Sequence, residues 1–125
     1  MILIALLILP WSAPTCTVVD GDTVRCGKER VRLLGIDAPE IHGCRQGRIC
    51  APGDGQASKR NLQRLLNGSV RIDRVTRDRY GRTVAQVYVG GMNVGCEQLR
   101  AGMARYERRW DNGRRLAKEC RDAVG

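Results

Sequence analysis

Residues 15–26 read TCTVVDGDTVRC, and this stretch is the clearest guide to the fold. Two short runs rich in β-branched residues, 15–19 and 23–26, flank an Asp-Gly pair. Such an arrangement is typical of a β-hairpin, because β-branched residues favour strands and the Asp-Gly pair fits a tight turn. The stretch therefore predicts an antiparallel hairpin, in which Cys16 lies opposite Cys26 if the loop takes three residues.

Three more strands are predicted further along the chain. Residues 30–36 continue the hairpin as a third strand, and residues 70–75 and 83–89 form another pair around a turn at 78–81. Between these groups, residues 42–55 are polar and rich in glycine, which predicts a loop.

Three helices are predicted from apolar spacing and from residues that favour helix ends. Their predicted N-terminal caps are Asp54, Asn93, and Asp111 or Asn112. The first helix ends at Asn67-Gly68, and its apolar face consists of Leu62, Leu65 and Leu66. The second closes at Gly102. This order of elements predicts the α+β class, and a small closed barrel would protect the strand edges.

The length and charge of the chain limit what it can be. A chain of 125 residues suffices for one domain with a modest core, which we place at residues 15–125. It carries 22 Lys and Arg against 13 Asp and Glu, a formal net charge of +9. Such a field attracts polyanions, including nucleic acids. Basicity alone does not identify the partner, so the motifs must decide.

Residues 1–14, MILIALLILPWSAP, form an apolar segment ahead of the predicted domain. The segment is shorter than the roughly 20 residues that cross a bilayer, so we expect no stable membrane anchor. Its length fits the apolar region of a secretory signal, although no Lys or Arg precedes it. The alternative is a first strand packed into the core, in which Pro10 and Pro14 would interrupt ladder pairing.

Six cysteines in so short a chain favour disulfides and export to an oxidising compartment. Their spacing suggests the pairs Cys16–Cys26, Cys44–Cys50 and Cys96–Cys120. The alternative is a zinc site at His42, Cys44 and Cys50, but a structural zinc site needs a fourth ligand and none stands out. We therefore expect a disulfide-bonded protein that is secreted or periplasmic.

Three short stretches contain most of the side chains that could do chemistry: residues 20–23 (DGDT), 32–40 (RLLGIDAPE) and 78–82 (DRYGR). Each has an ordinary explanation by itself. Asp-Gly-Asp is a common hairpin turn, an arginine on a half-buried strand is not unusual, and Tyr-Gly-Arg fits a second turn.

Together these stretches supply the side chains that metal-assisted phosphodiester hydrolysis requires. Asp22 and Asp37 offer carboxylate oxygens, which hard cations prefer as ligands. Glu40 can orient or deprotonate an attacking water. The guanidinium groups of Arg32 and Arg82 match phosphoryl oxygens bidentately and can stabilise the charge that develops on them.

The motifs DGDT, RLLGIDAPE and DRYGR, in this order, resemble those of the staphylococcal nuclease (thermonuclease) family. The similarity runs from about residue 17 to the last predicted helix, and it is strongest over residues 18–40 and 78–89. The resemblance implies an OB-fold five-stranded β-barrel with three helices. It also implies Ca²⁺ as cofactor, and cleavage of DNA and RNA to products that end in a 3′-phosphate.

The resemblance implies three metal ligands and one outer carboxylate. Asp22 and Asp37 match the calcium carboxylates, and Ala38 matches the position whose backbone carbonyl binds the ion. Family members often have Thr at this last position, but a main-chain ligand survives the change to Ala38. Asp20 belongs to the outer carboxylates of the same site.

The resemblance also implies roles in catalysis and in substrate binding. Glu40 matches the residue usually assigned as general base, and Arg32 and Arg82 match the two arginines that clamp phosphate. Arg79 and Tyr80 match positions that contact the neighbouring terminal phosphate.

The resemblance leaves two candidates for base stacking. Family members often place tyrosines after the second helix, where Tyr106 or Trp110 could stack on a base, and we assign Trp110 to substrate binding. The chain has no Phe, three Tyr and two Trp, so a broad stacking platform is not expected. We therefore expect phosphate contacts to dominate, low base specificity, a preference for single-stranded or locally unpaired DNA and RNA, and a monomer.

Two other function classes compete with the enzyme. A non-catalytic OB-fold module would bind nucleic acid without cutting it, and a disulfide-bonded structural or inhibitory protein would have only an incidental basic face. The filled set of carboxylates and arginines favours the enzyme over both.

Overall fold

A computed structural model of the protein describes residues 2–5 and 15–125. The strands are β1 (Cys16–Asp20), β2 (Thr23–Cys26), β3 (Glu29–Leu33), β4 (Ile36–Asp37), β5 (Val70–Arg77), β6 (Thr83–Val89), β7 (Met92–Asn93) and β8 (Arg105–Tyr106). The helices are α1 (Gly55–Leu65), α2 (Val94–Arg100), α3 (Arg115–Glu119) and α4 (Arg121–Val124), with 3₁₀ turns at Arg108–Trp110 and Asn112–Arg114.

The strands form one large mixed sheet and one small one. The large sheet has the order β1-β2-β3-β6-β5, with β7 added to β6. Strands β3 and β6 run parallel, and the other pairs of this sheet are antiparallel. The short strands β4 and β8 pair antiparallel in a separate sheet. Helices α1 and α2 contact each other, and α1 also packs on β1. The predicted α+β class is confirmed.

The hairpin of β1 and β2 is confirmed, but its turn is shorter than the prediction allowed. Asp20 pairs with Thr23, which leaves a two-residue turn, and an irregularity between Val18 and Asp20 shifts the register. Because this shift adds one residue to β1, Cys16 still lies opposite Cys26. A disulfide joins these two cysteines.

The predicted third strand, residues 30–36, is wrong as a single element. Strand β3 ends at Leu33, and the chain turns at Gly35, whose φ of +74° interrupts an extended strand. The chain then enters β4, where Ile36 pairs with Tyr106 and Asp37 pairs with Arg105. This break moves Asp37 out of the large sheet.

The first two predicted helices are confirmed together with their caps. The Asp54 side chain accepts hydrogen bonds from the backbone N–H groups of Gln56 and Ala57 at the start of α1. The Asn93 side chain accepts from Gly95 and Cys96 at the start of α2. Both caps satisfy donors that a helix N-terminus leaves without partners.

The single C-terminal helix predicted after Asp111 or Asn112 is wrong. Gly113 and Arg114 have φ values of +67° and +54°, which prevent a continuous right-handed helix from Asp111 onward. The Asp111 carboxylate instead accepts hydrogen bonds from the backbone N–H groups of Leu116 and Ala117. A second break at Cys120 separates α3 from α4.

The core lies between the large sheet and the helices. Its fully buried members come from four strands and three helices, and they include Val24, Val31, Ile36, Leu62, Val87, Val94 and Leu116. The disulfide Cys96–Cys120 lies within this core and ties α2 to the C-terminal helices. Since both cysteines are buried, this bridge stabilises the packing of α3 and α4 on α2.

The N-terminal apolar segment is described only in part. Residues 2–5 form neither helix nor strand, and Ile2, Leu3 and Ile4 are exposed. Residues 1 and 6–14, on which the predictions of a signal or a first strand mainly rest, lie outside the described residues. Across the described residues, no helix is both long enough and apolar enough to span a membrane.

A buried polar network fixes the hairpin turn against α1 and α2. Gln98 is fully buried, and its amide nitrogen donates to the backbone carbonyls of Gly21 at 2.8 Å and Ser58 at 3.1 Å. Its amide oxygen accepts a hydrogen bond from Asn61 at 2.6 Å. A Cβ atom at Gly21 would lie 1.8 Å from the Ser58 hydroxyl oxygen. Only glycine permits so close an approach.

We expect Gln98→Met to lower the free energy of unfolding by about 2–4 kcal/mol, because several buried polar groups lose their partner at once. Methionine has a similar length, so the loss reports on hydrogen bonds more than on volume. Gln63→Met, on the exposed side of α1, is the matched control and should change stability by less than about 0.5 kcal/mol. Urea unfolding of the variants tests this. Equal stabilities would show that the network does not hold the turn.

Candidate active site

The turn between β1 and β2 places one carboxylate in the interior. Asp22 is only 6% exposed, and its Oδ1 accepts a hydrogen bond from the Thr23 hydroxyl at 2.9 Å. Its Oδ2 accepts one from the backbone N–H of Ala38 at 2.8 Å and lies 3.0 Å from Nη1 of Arg32. These contacts join the hairpin turn to β3 and to the chain that follows β4.

A second buried carboxylate follows from the pairing of β4 with β8. Asp37 is 2% exposed. Its Oδ2 lies 3.2 Å from Nη2 of Arg105, the residue opposite it in the strand pair, and its Oδ1 lies 3.9 Å from Nη2 of Arg48. Two cations from distant parts of the chain therefore offset the charge of Asp37.

Like charges shift the pKa values of this carboxylate group. Burial raises the pKa of Asp20 to about 7, and the hydrogen bond and charge of Asp22 add to the rise. Burial, and after it the charge of Asp22, also raises the pKa of Asp37. For Asp22 burial acts in the same direction, but the Arg32 guanidinium and several hydrogen bonds outweigh it and lower the pKa. Burial and, after it, the neighbouring Asp22 thus disfavour the ionised forms of Asp20 and Asp37.

This group of oxygens fits a hard divalent cation. A cation would favour the ionised forms of Asp20 and Asp37, whose pKa values are raised by burial and then by Asp22, and carboxylate oxygens are the ligands that Ca²⁺ prefers. Within residues 2–5 and 15–125, no three His, Cys, Asp or Glu side chains converge as a metal cluster. A cation here would therefore depend on Asp22, Asp37, the carbonyl of Ala38, water and substrate oxygens.

Zinc does not fit the alternative set of ligands. Cys44 and Cys50 are joined in a disulfide, so neither sulfur is available as the thiolate that zinc requires. His42 alone remains of the three residues considered.

Arg32 is held by three neighbours on the wall of the site. Besides its ion pair with Asp22, it donates from Nη2 to the carbonyl of Ile36 at 3.1 Å. Its guanidinium carbon lies 4.9 Å from the centroid of the Trp110 ring, a distance typical of a cation–π contact. The side chain is 13% exposed, so its orientation is restricted while part of the guanidinium still faces solvent.

In the turn between β5 and β6, the carboxylate of Asp78 fixes the orientation of the Arg82 side chain. Asp78 Oδ1 accepts the backbone N–H groups of Tyr80 and Arg82, both at 2.9 Å. Its Oδ2 accepts Nε of Arg82 at 2.7 Å. Burial acts to raise the pKa of Asp78, but the hydrogen bonds and charge of Arg82 lower it, so the carboxylate stays ionised. The two terminal nitrogens of Arg82 remain for other acceptors.

The same turn exposes an aromatic ring beside two cations. Tyr80 is 60% exposed, and its hydroxyl oxygen accepts a hydrogen bond from Nη2 of Arg79 at 2.8 Å. Arg30 donates to the Tyr80 carbonyl at 2.9 Å and so supports the turn from β3. The ring is accessible to a ligand on its open side.

Glu40 lies at the edge of the site, where it pairs with an arginine from the loop before α1. Nη1 of Arg48 lies 3.0 Å from Oε1 of Glu40, and the Glu40 side chain is 34% exposed. This carboxylate is thus accessible to water and to a phosphate.

One cleft of about 870 Å³ brings these groups together. Its lining includes the predicted residues Asp20, Asp22, Arg32, Ala38, Glu40, Arg79, Tyr80, Arg82 and Trp110. Asp37 is buried and does not line the cleft. Tyr106 does not line it either, because its hydroxyl donates to Asp111 at 2.7 Å and its ring packs on the core. Of the two aromatic residues considered for stacking, only Trp110 faces the cleft.

Sequence reasoning missed two arginines that reach the buried carboxylate. Arg48 follows Glu40 by eight positions in a loop without regular structure, and only its place between two paired cysteines hints at a fixed conformation. Arg105 lies on a two-residue strand, β8, whose pattern is too short to detect from the sequence.

Comparison with known proteins identifies the class. Residues 30–123 match the model of a protein family described as "Staphylococcal nuclease homologue". The chain therefore belongs to the staphylococcal nuclease homologue family, and the OB-type fold expected from the resemblance is confirmed.

Several curated relatives carry related names. The thermonuclease of Staphylococcus intermedius is 37% identical over 94 residues, which cover 70% of this chain and 55% of that protein. An uncharacterized endonuclease of Haemophilus influenzae is 40% identical over 99 residues, which cover 72% of this chain and 51% of that protein. Endonuclease YncB of Bacillus subtilis is 37% identical over 97 residues, 70% of this chain and 44% of that protein. The chain thus spans about half the length of these relatives.

Proposed function

We propose that this protein is a calcium-dependent nuclease that hydrolyses phosphodiester bonds in DNA and RNA with little base specificity. The observation that carries the proposal is a cleft in which the carboxylates of Asp20 and Asp22, an accessible glutamate and two restrained arginines meet, with Asp37 buried beside Arg48 and Arg105. Membership of a family whose relatives include a thermonuclease and two endonucleases supports it.

Metal binding and proton transfer are assigned to different residues. Asp22, Asp37 and the backbone carbonyl of Ala38 would hold Ca²⁺, which supplies a positive charge that polarises the scissile phosphate. Glu40 accepts a proton from water as the water oxygen bonds to phosphorus. The P–O5′ bond then breaks and the leaving O5′ takes a proton from solvent water, so one product ends in a 3′-phosphate and the other in a 5′-hydroxyl.

Arg32 and Arg82 stabilise the charge on the phosphoryl oxygens during this step. Their neighbours support that role, because each guanidinium is fixed by a carboxylate, Asp22 or Asp78, before a substrate arrives. Donors that are already oriented need no reorganisation when charge develops.

Contacts beside the reacting phosphate determine how the substrate binds. In this proposal Arg79 and Tyr80, which both line the cleft, contact a neighbouring phosphate, and Trp110 is the one of the two stacking candidates that lines it. Because bases must be unstacked to reach such a ring, we propose a preference for single-stranded or locally unpaired substrates. The three disulfides support a secreted or periplasmic location, and we propose that the protein acts as a monomer.

Incubation of the purified protein with labelled DNA and RNA oligonucleotides tests the proposal. We expect cleavage with calcium, no cleavage with a calcium chelator, and recovery when calcium is restored. The products should carry 3′-phosphates, detected as ends that a 3′-phosphatase makes extendable by a polymerase. Binding without any cleavage would instead support the non-catalytic OB-fold module.

We expect Asp37→Asn to weaken calcium binding by more than about tenfold, because the site loses one of few anionic ligands and even outer partners are worth about 10- to 100-fold. Calorimetric titration of the protein with calcium measures this. Asp73→Asn is the matched control, since Asp73 also pairs with an arginine, Arg71 at 3.0 Å, but is exposed on β5. A parental calcium affinity in Asp37→Asn would rule Asp37 out as a ligand.

A further inference from the structure

The disulfide Cys44–Cys50 closes a short loop against the cleft. The bridge spans six positions, and within the ring the backbone N–H of Arg48 donates to the carbonyl of Arg45 at 3.1 Å. Arg45, Gln46, Gly47 and Arg48 all line the same cleft as Glu40 and Arg82. We call residues 44–50 the cystine loop.

The cystine loop brings positive charge and no negative charge. Its two ionisable side chains are Arg45 and Arg48, and both line the cleft. The loop is attached at two points: Arg48 contacts Glu40 at 3.0 Å, and Arg105 donates to the carbonyl of Ile49 at 3.1 Å. Since Arg105 also contacts Asp37, it links the loop to that buried carboxylate.

Arg48 has donors to spare for a ligand. Its Nη1 is bonded to Glu40, whereas its Nη2 is 3.9 Å from Asp37, beyond hydrogen-bond distance, and the side chain is 48% exposed. A guanidinium has five N–H donors, so a carboxylate on one side leaves a face for a phosphate on the other. The residues of the loop are almost all exposed, so the loop has no hydrophobic core of its own. The disulfide therefore does not serve to pack a core.

We propose that Arg48 is a substrate-binding residue that contacts a phosphate next to the scissile one, and that the Cys44–Cys50 disulfide positions it. This inference rests on the proposed function for the identity of the polyanion. The disulfide fixes the loop before binding, so the complex forms without the entropy cost of ordering it.

Equilibrium binding separates this proposal from the proposed function. Fluorescence anisotropy of a labelled single-stranded oligonucleotide is measured with calcium chelated, so no cleavage is required. We expect Arg48→Ala to raise Kd about tenfold, the scale of one charge-assisted hydrogen bond, and to reduce the salt slope by about 0.7. Arg60→Ala, an exposed arginine on α1 outside the cleft, is the control of equal charge and should change Kd by less than about twofold.

A double-mutant cycle tests whether the disulfide acts through Arg48. We expect Cys44→Ser with Cys50→Ser to raise Kd in the parent and to have little further effect in the Arg48→Ala background. Additive effects would overturn the positioning role of the disulfide. In the cleavage assay, Arg48→Ala should raise KM. An unchanged Kd for Arg48→Ala would overturn the proposal and indicate that Arg48 only restrains Glu40.

Discussion

Replacing Arg82 with lysine is expected to lower kcat by about two to three orders of magnitude, the scale of one lost preorganised donor, with KM little changed. Lysine keeps the positive charge but lacks the planar fork. In the protein the guanidinium has two sets of partners. Its Nε donates to Asp78 at 2.7 Å, and its two terminal nitrogens remain for phosphate. A lysine ammonium cannot bind Asp78 and also reach the phosphate in this geometry.

The matched control for this variant is Arg74→Lys. Arg74 also forms a two-point pair with a carboxylate, Glu29, at 2.8 and 2.6 Å, but it does not line the cleft. Its replacement should leave kcat within about twofold. Steady-state kinetics at saturating calcium compare the two variants. If Arg82→Lys keeps a near-parental kcat, Arg82 acts as surface charge and the clamp is wrong.

Glu40→Gln is expected to lower kcat by about two to four orders of magnitude, because general base catalysis contributes on this scale. The change removes the proton acceptor but keeps the shape of the side chain. It also leaves Arg48 an amide oxygen to contact, so the cystine loop should keep its attachment.

The control for the loss of an ion pair is Glu97→Gln. Glu97 pairs with Arg100 at 2.6 Å on α2 and is not part of the cleft. Single-turnover cleavage and urea unfolding are measured for both glutamine variants. We expect Glu97→Gln to keep parental cleavage. A kcat for Glu40→Gln within about threefold of the parent would show that Glu40 is not the general base.

Much of the fold could be predicted because its signals are local. The Asp-Gly turn between β-branched runs predicted the first hairpin, and Asp54 and Asn93 predicted the starts of α1 and α2. In each case the side chains that determine the element lie within a few residues of it. The same reasoning failed where a distant contact determines the structure.

One failure has such a distant cause. Residues 30–36 were predicted as one strand that continues the hairpin, but Ile36 pairs with Tyr106 on β8, and no local pattern reveals that partner.

The C-terminal helix failed for a local reason. Gly113 and Arg114 have positive φ values, and Asp111 binds the backbone a few residues beyond this break.

The candidate site shows the same division. Nearly all of its predicted residues lie in three motifs, and the fold brings these motifs to one cleft. Arg48 and Arg105 were missed because no local pattern connects them with Asp37. The network of Gln98 was missed too, since one buried polar side chain on a helix does not reveal which backbone carbonyls it binds.

If Asp22 and Asp37 bind the calcium that cleavage requires, the dependence of the cleavage rate on calcium must change when Asp37 loses its charge. Chelated parent protein, Asp37→Asn and Asp73→Asn are each mixed with a labelled single-stranded DNA oligonucleotide, and the initial rate is measured as free calcium rises. We expect no cleavage by any of the three without calcium. The rate should then saturate at the same calcium concentration for parent and Asp73→Asn, and at a concentration more than about tenfold higher for Asp37→Asn. Cleavage that persists under chelation would show that the reaction does not need calcium. Coinciding titrations for Asp37→Asn and the parent would show that Asp37 does not bind the calcium used in cleavage.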